Sequence, residues 1–183
     1  MGQVWVTSDW HFYHNRDFIY GPRGFNTAEG MSAEIILRYN EVVQPDDDVY
    51  VLGDLMLNDN DAGMRAIKQL KGRIHVIRGN HDTAARMELY NNCYNIVEVC
   101  EGKFLKHKGY NFYLSHYPCL TSNCDEDKPL NKRMISLCGH SHVQDPFADW
   151  GKGLIFHCEV DSNSCYPWNL NDIIELIKQK EGK

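Results

Sequence analysis

Long hydrophobic runs are missing from this 183-residue sequence. No stretch approaches the roughly 18 apolar residues that a membrane helix needs, and the opening MGQVWVTSDWH has no basic segment followed by an apolar core. A membrane role is not expected, and the chain reads as cytoplasmic. Positive charge is also scarce: 19 Lys plus Arg stand against 25 Asp plus Glu, a net charge of −6. Binding to duplex nucleic acid, which draws on clustered cations, is disfavoured. The seven cysteines are odd in number and show no Cys-x-x-Cys spacing, which argues against a full disulfide set or a zinc ribbon and for reduced thiols. Repeats, low-complexity tracts and Pro/Gly/Ser linkers are absent too, so one domain over residues 1–183 is expected.

What the chain does contain is alternation. VWVTS (4–8), VYVL (49–52), IHVIR (74–78), FYLS (112–115) and ISLC (135–138) are short runs rich in β-branched and aromatic residues, the composition of buried strands. Helical patterns lie between the first three, over about Thr27 to Val43 and Asp59 to Lys71, closed by Pro45 and Gly72. From Asn95 to Ser115 the pattern changes to closely spaced strands joined by turns at Glu101-Gly102 and Lys108-Gly109. An amphipathic helix over about Asn171 to Lys180 follows near the end. The order βαβαβ followed by a strand-rich half predicts an α/β fold with mixed sheets.

Each of the five strand runs stops at residues able to hold a metal or a proton: Asp9-Trp10-His11, Gly53-Asp54, Gly79-Asn80-His81-Asp82, His116, and Gly139-His140-Ser141-His142. Any one of these has an ordinary structural explanation as a cap or turn. Ligands of open α/β sheets bind beyond the carboxyl ends of the strands, however, so the five clusters are expected to converge on one rim. Asp9, Asp54 and Asn80 offer oxygen, and His11, His116, His140 and His142 offer nitrogen. That exceeds the three protein ligands of a mononuclear catalytic zinc and points to two metals. Oxygen and imidazole donors without thiolate suit Mn²⁺, Fe or Zn²⁺. Glycine before Asp54, Asn80 and His140 is expected to let the backbone turn inward.

The set D-x-H, G-D, G-N-H-D, H and G-H-x-H, running from residue 9 to 142, resembles the calcineurin-like metallophosphoesterase family. The stretch SDWHFYHN further resembles a small bacterial and phage-type branch of it. The resemblance implies a four-layer αββα sandwich of two mixed sheets flanked by helices. It assigns Asp9, His11 and His142 to a first metal, Asn80, His116 and His140 to a second, and Asp54 to both. It also implies hydrolysis of a phosphate ester, monoester or diester, by in-line attack of a metal-bridging hydroxide. By the same resemblance His81 faces the phosphate and protonates the leaving group, and Asp82 orients its imidazole.

Other residues are read from position. His14 and Arg16 follow the first cluster in a polar loop, and Arg23 lies in Gly-Pro-Arg-Gly; all three are candidates for holding phosphate, the arginines through a bidentate fork. His75 and His157 lie inside apolar runs and are read as structural, and His107 as part of a solvated hairpin end. The segment Tyr117 to Arg133 is long enough to shape a substrate rim, and its acidic run 125–127 reads as solvated. No cysteine is needed as a nucleophile. A short chain without a cap favours small phosphodiesters, nucleotides or exposed nucleic-acid ends as substrates. The alternative is a non-catalytic metal-binding or protein-interaction module on the same fold, as a retromer subunit related to the family is.

Overall fold

A computed structural model describes residues 2–121 and 127–182. The β-branched runs form two sheets. In the first, β1 (Val4–Thr7), β2 (Asp48–Val51), β3 (Arg73–Ile77) and β4 (Ile96–Cys100) are parallel, and β9 (Trp168–Asn169) joins β1 antiparallel, in the order β4-β3-β2-β1-β9. In the second, β5 (Lys103–His107) pairs antiparallel with β6 (Tyr110–Leu114), and β7 (Met134–Cys138) and β8 (Ile155–His157) continue in parallel. Both sheets are mixed. Among the described residues six helices accompany them: α1 (Asp17–Tyr20), α2 (Ala28–Val42), α3 (Asn60–Ile67), α4 (Ala84–Asn91), α5 (Trp150–Gly153) and α6 (Leu170–Lys180). The architecture is the αββα sandwich.

The two faces of the first sheet feed two cores. Val49, Val51, Ile74 and Val76 pack with Met31, Ile35 and Tyr39 of α2, Ile67 of α3 and Tyr90 of α4. The intervening Tyr50, Leu52 and Ile77 pack with Phe112, Leu114, Ile135, Leu137 and Phe156 of the second sheet and with Ile173, Ile174 and Ile177 of α6. This is the two-residue period of a strand buried on both sides. A one-residue slip of β3 would exchange Ile74 for His75 in the helix-side core. Since burying an aliphatic side chain contributes about 1.5–3 kcal/mol, the register is firmly set. His75 instead pairs with Glu98 (2.8 Å) and Asp48 (3.0 Å), and His107 with Asn171 (2.9 Å).

One helix boundary changes, and one of the expected turns proves to join the two sheets. The helix expected to Lys71 stops at Ile67, because side chains replace the helical bonds of its last turn: Asn95 donates to Ile67 O and Leu70 O, Asn40 donates to Gln69 O, and Tyr39 donates to Lys71 O. Lys108-Gly109, with φ of 46° and 85°, is a hairpin turn, whereas Glu101-Gly102 carries the chain from the first sheet to the second. Asp125 and Glu126 of the acidic run, and Cys124, lie outside the described residues; the other six cysteines are free thiols. No described helix is long and apolar enough to cross a membrane.

Candidate metal centre and cleft

Because β1, β2 and β3 are parallel in one sheet and β6 and β7 in the other, the polar clusters that follow them meet at one rim. Main-chain bonds lace the loops together: Asp9 N donates to Gly53 O, His11 N to Asp54 O, and Gly139 N to His116 O. Asp9, His11, Asp54, His140 and His142 all have φ between 48° and 76°, a left-handed region costing on the order of 1–3 kcal/mol for each residue with a Cβ. The fold thus holds five of the seven candidate ligands in a backbone state they would not choose. Of the three glycines, Gly53 (φ 92°) does use its freedom to turn. At Gly79 and Gly139 the requirement is clearance, since a Cβ would collide with Asp54 at the one and with Ser8 and Asp9 at the other.

His11 Nε2 and His142 Nε2 approach to 3.2 Å, and Asp9 Oδ1 lies 3.8 Å from the first and 3.6 Å from the second. Asp54 Oδ2 is 3.7 Å from His11 Nε2 and also 3.7 Å from His116 Nε2. Asn80 Oδ1 is 2.7 Å from His116 Nε2 and 2.9 Å from His140 Nδ1. Asp9 also groups with Asp54 and His116, so its carboxylate reaches toward both sets.

The donor chemistry fits divalent cations. Asp9 is fully buried, and its Oδ1 has no hydrogen-bond partner among the described residues, while Oδ2 accepts from Ser8 Oγ and His140 N. His116 Nδ1 faces Leu52 O at 2.7 Å, and a carbonyl only accepts, so the proton sits on Nδ1 and Nε2 turns a lone pair toward Asn80 Oδ1. With the Asn80 amide oxygen turned inward, the converging lone pairs suit a cation that both groups coordinate, and oxygen and imidazole are the donor mixture that Mn²⁺, Fe and Zn²⁺ take. Without that charge, burial pushes the Asp9 carboxyl up to about 6 and raises that of Asp54, and burial drives the His11 imidazole well below its ordinary value.

An open cleft of roughly 450 Å³ adjoins this cluster, lined beyond the ligands by His14, Phe18, Ile19, Leu57 and His81. The His81 side chain is 42% exposed, with Nε2 3.9 Å from Asp54 Oδ2. His14 is buried against His11, and burial, aided by His81 and Arg16, pushes its imidazole down to about 4. It is neutral near pH 7, so at the cleft wall it contributes hydrogen-bonding atoms and no charge. Arg16 is exposed at the start of α1 and does not line the cleft.

Two expected roles do not fit their geometry. Arg23 is no free phosphate clamp: its side chain is 2% exposed, and its fork is occupied by Asp161, Nε to Oδ1 at 2.9 Å and Nη2 to Oδ2 at 2.7 Å. Asp82 does not reach the His81 imidazole. Wholly buried, it accepts from Asp54 N (2.8 Å), Gly79 N (2.9 Å) and Tyr90 Oη (2.8 Å), which ties the Gly53-Asp54 turn to the Gly79 turn.

A model of the calcineurin-like phosphoesterase superfamily domain matches residues 3–157. The chain belongs to that superfamily. Protein MJ1445 of Methanocaldococcus jannaschii, itself uncharacterized, is 30% identical over 185 residues, covering 98% of this chain and 93% of that one. The gene 66 protein of Mycobacterium phage L5 is 26% identical over 78% of each chain. The crystal structure of AQ665 from Aquifex aeolicus, a protein of unknown function, superposes with a TM-score of 0.72 at 24% identity, over 96% of this chain and all of that one.

The superfamily match ends just short of Glu159 and Asp161, which support the site from behind. Glu159, fully buried, accepts from Ser141 N (3.1 Å) and pairs with His157 Nδ1 (3.0 Å), while His157 Nε2 meets Asp149 (3.1 Å). Asp161 Oδ2 lies 3.1 Å from His142 Nδ1. Burial alone would raise the Asp161 carboxyl, but the bonds to His142 and Arg23 hold it well below the usual range. Sequence reasoning passed over Asp161, yet a signal was present: the run GLIFHCEV contains β8 and, like the other strand runs of this phosphoesterase fold, is followed at once by polar residues, Asp161-Ser162-Asn163. Tyr117, stacked edge-on against His116 and His140 and half exposed, was likewise read only as part of a loop.

Proposed function

We propose that this chain hydrolyses phosphate esters with two divalent metal ions, and that small diesters are the preferred class. Asp9, His11 and His142 would hold one ion, Asn80, His116 and His140 the other, and Asp54 both. One observation carries the reading: the buried Asp54 carboxylate stands equally far, 3.7 Å, from an imidazole nitrogen of each set. When bound, the ions supply charge neutralisation at phosphorus and a lowered water pKa.

The chain's own residues supply the rest. His81, partly exposed beside Asp54, is placed to hand a proton to the departing oxygen. Its main-chain N–H donates to Asp54 Oδ1 at 2.8 Å, which fixes the loop that carries it. Phe18, Ile19 and Leu57 give the cleft an apolar side for the organic substituent of the ester. No described Lys or Arg lines the cleft, so no side-chain cation offsets the second charge of a monoester. That favours a singly charged diester.

The test joins metal content to turnover. Protein purified without chelators is assayed for metal, then for rates on p-nitrophenyl phosphate and bis-p-nitrophenyl phosphate with Mn²⁺, Zn²⁺, Ni²⁺ and Mg²⁺. Two equivalents of metal and faster cleavage of the diester are expected. Metal bound with neither ester cleaved would favour the non-catalytic module instead.

A further inference from the structure

His142 can serve as a ligand through Nε2 only if its other nitrogen, Nδ1, carries the ring proton. Two groups lie 3.1 Å from Nδ1: Arg23 Nη2 and Asp161 Oδ2. They demand opposite tautomers. A proton donated by Arg23 would require a bare Nδ1 and place the ring hydrogen on Nε2, where it would block coordination. A bond to Asp161 requires Nδ1–H and leaves Nε2 free.

An inventory of hydrogens decides between them. Arg23 Nη2 has two hydrogens. One goes to Asp161 Oδ2 at 2.7 Å and the other to the main-chain oxygen of Asp9 at 2.9 Å. Nη1 and Nε are turned to Trp10 O (3.4 Å), Met31 Sδ (3.4 Å) and Asp161 Oδ1 (2.9 Å). No Arg23 hydrogen remains for His142, so Nδ1 must supply its own and give it to Asp161. The same arginine grips the backbone of Asp9, a residue held at φ 57°.

We propose that the buried Arg23–Asp161 pair is a positioning device for the first metal: it fixes His142 as the Nδ1–H tautomer, turns Nε2 toward Asp9 and His11, and tethers Asp9 by its carbonyl. Loop 21–24, the G-H-S-H loop and the turn at 160–163 are thereby locked together through one ion pair. The pair acts on the ligands and not on the substrate. A carboxylate behind a ligating histidine typically matters 10–100-fold to metal affinity. The inference rests on metal binding at the first set, and not on ester hydrolysis.

Asp161→Asn keeps shape while removing the charge and one acceptor oxygen, and its fold is checked by thermal melting. Two readouts are taken. In the metal-free protein, ¹⁵N imidazole spectra taken at a pH where the ring is neutral should show His142 as Nδ1–H in the parent and a mixed or Nε2–H state in the variant. In stepwise titration with Mn²⁺ or Zn²⁺, one of the two binding steps should weaken 10–100-fold while the other stays within about threefold. Arg23→Lys, which supplies a point charge but no fork, should weaken the same step. A folded Asp161→Asn that binds both metals as the parent does, or a parent His142 whose neutral ring carries its hydrogen on Nε2, overturns the proposal. So does equal weakening of both steps, the mark of a general structural role, or a parent that binds no metal. A protein that passes these tests yet cleaves no ester contradicts the hydrolase reading alone.

Discussion

Among the candidate ligands, His142 and the Asp9 carbonyl are gripped by charged side chains, whereas His116 is held by main chain. Behind His142 stand Asp161 and Arg23, and behind Asp9 the same arginine; behind His116 stands the carbonyl of Leu52, at the end of a core strand. A charge pair between loops can be changed by one substitution. A carbonyl at the end of β2 cannot be removed without unmaking the sheet. On the proposed metal assignment, the difference makes the first set the adjustable half of the centre and the second the fixed half, with Asp54 common to both. Strain is divided in the same sense: all three first-set residues are in the left-handed region, but only His140 of the second.

The contrast can be broken most severely at the shared carboxylate. Asp54→Asn should cost both sets their metal and lower ester hydrolysis by more than the roughly 10⁴-fold upper range for loss of a proton donor, as seen by metal analysis and single-turnover rates. His81→Ala should leave both metals in place and slow esters with poor leaving groups by about 10²–10⁴-fold, with a smaller loss for p-nitrophenyl esters. His140→Ala sharpens the distinction, because it should weaken one metal step and slow all esters alike, whatever the leaving-group pKa. Loss of a metal in His81→Ala would return that residue to the ligand shell.

Smaller effects are expected away from the ligands. Tyr90→Phe removes a hydrogen bond to the buried Asp82 carboxylate and should lower stability by about 1.5–3 kcal/mol in denaturant melts. The leaving-group dependence should not change, because Asp82 holds backbone and not the His81 ring. Smallest is the acid response of the β2–β3–β4 edge. The Lys103 ammonium and His75 hold the Glu98 carboxyl below its ordinary value near 4.5, and Arg73 and then His75 do the same to Asp48 below 3.8. Folded-state values that are depressed add stability above the ordinary carboxylate range, and it is lost as pH falls through them. Glu98→Gln should therefore flatten the stability–pH curve below about pH 4.5, with the variant less stable than the parent near pH 7 and the difference vanishing in acid.

Much of this was legible in the residues. Strand runs showed themselves by β-branched content, and their polar ends by position, because parallel strands of one sheet must end on one rim. The ligand candidates follow from that rule, with the resemblance dividing them into sets. Second neighbours were not legible. Arg23 lies in Gly-Pro-Arg-Gly, which reads as an exposed turn, and nothing local announces a partner 138 positions away. Asp82 adjoins His81 in sequence, yet the turn at Gly79 sends the two side chains apart, one to backbone N–H groups and one to the cleft. The early end of α3 was hidden for the same reason, since Asn40 and Asn95, which satisfy its last carbonyls, come from other elements.

The most direct test is a crystal structure with Mn²⁺ supplied, with anomalous scattering used to locate the ions. Two peaks per chain are expected at the strand ends, with an oxygen of Asp54 touching each, His142 Nε2 on one ion and His116 Nε2 on the other. A single tetrahedral ion, or an Asp54 carboxylate turned away from both, would contradict the two-metal centre.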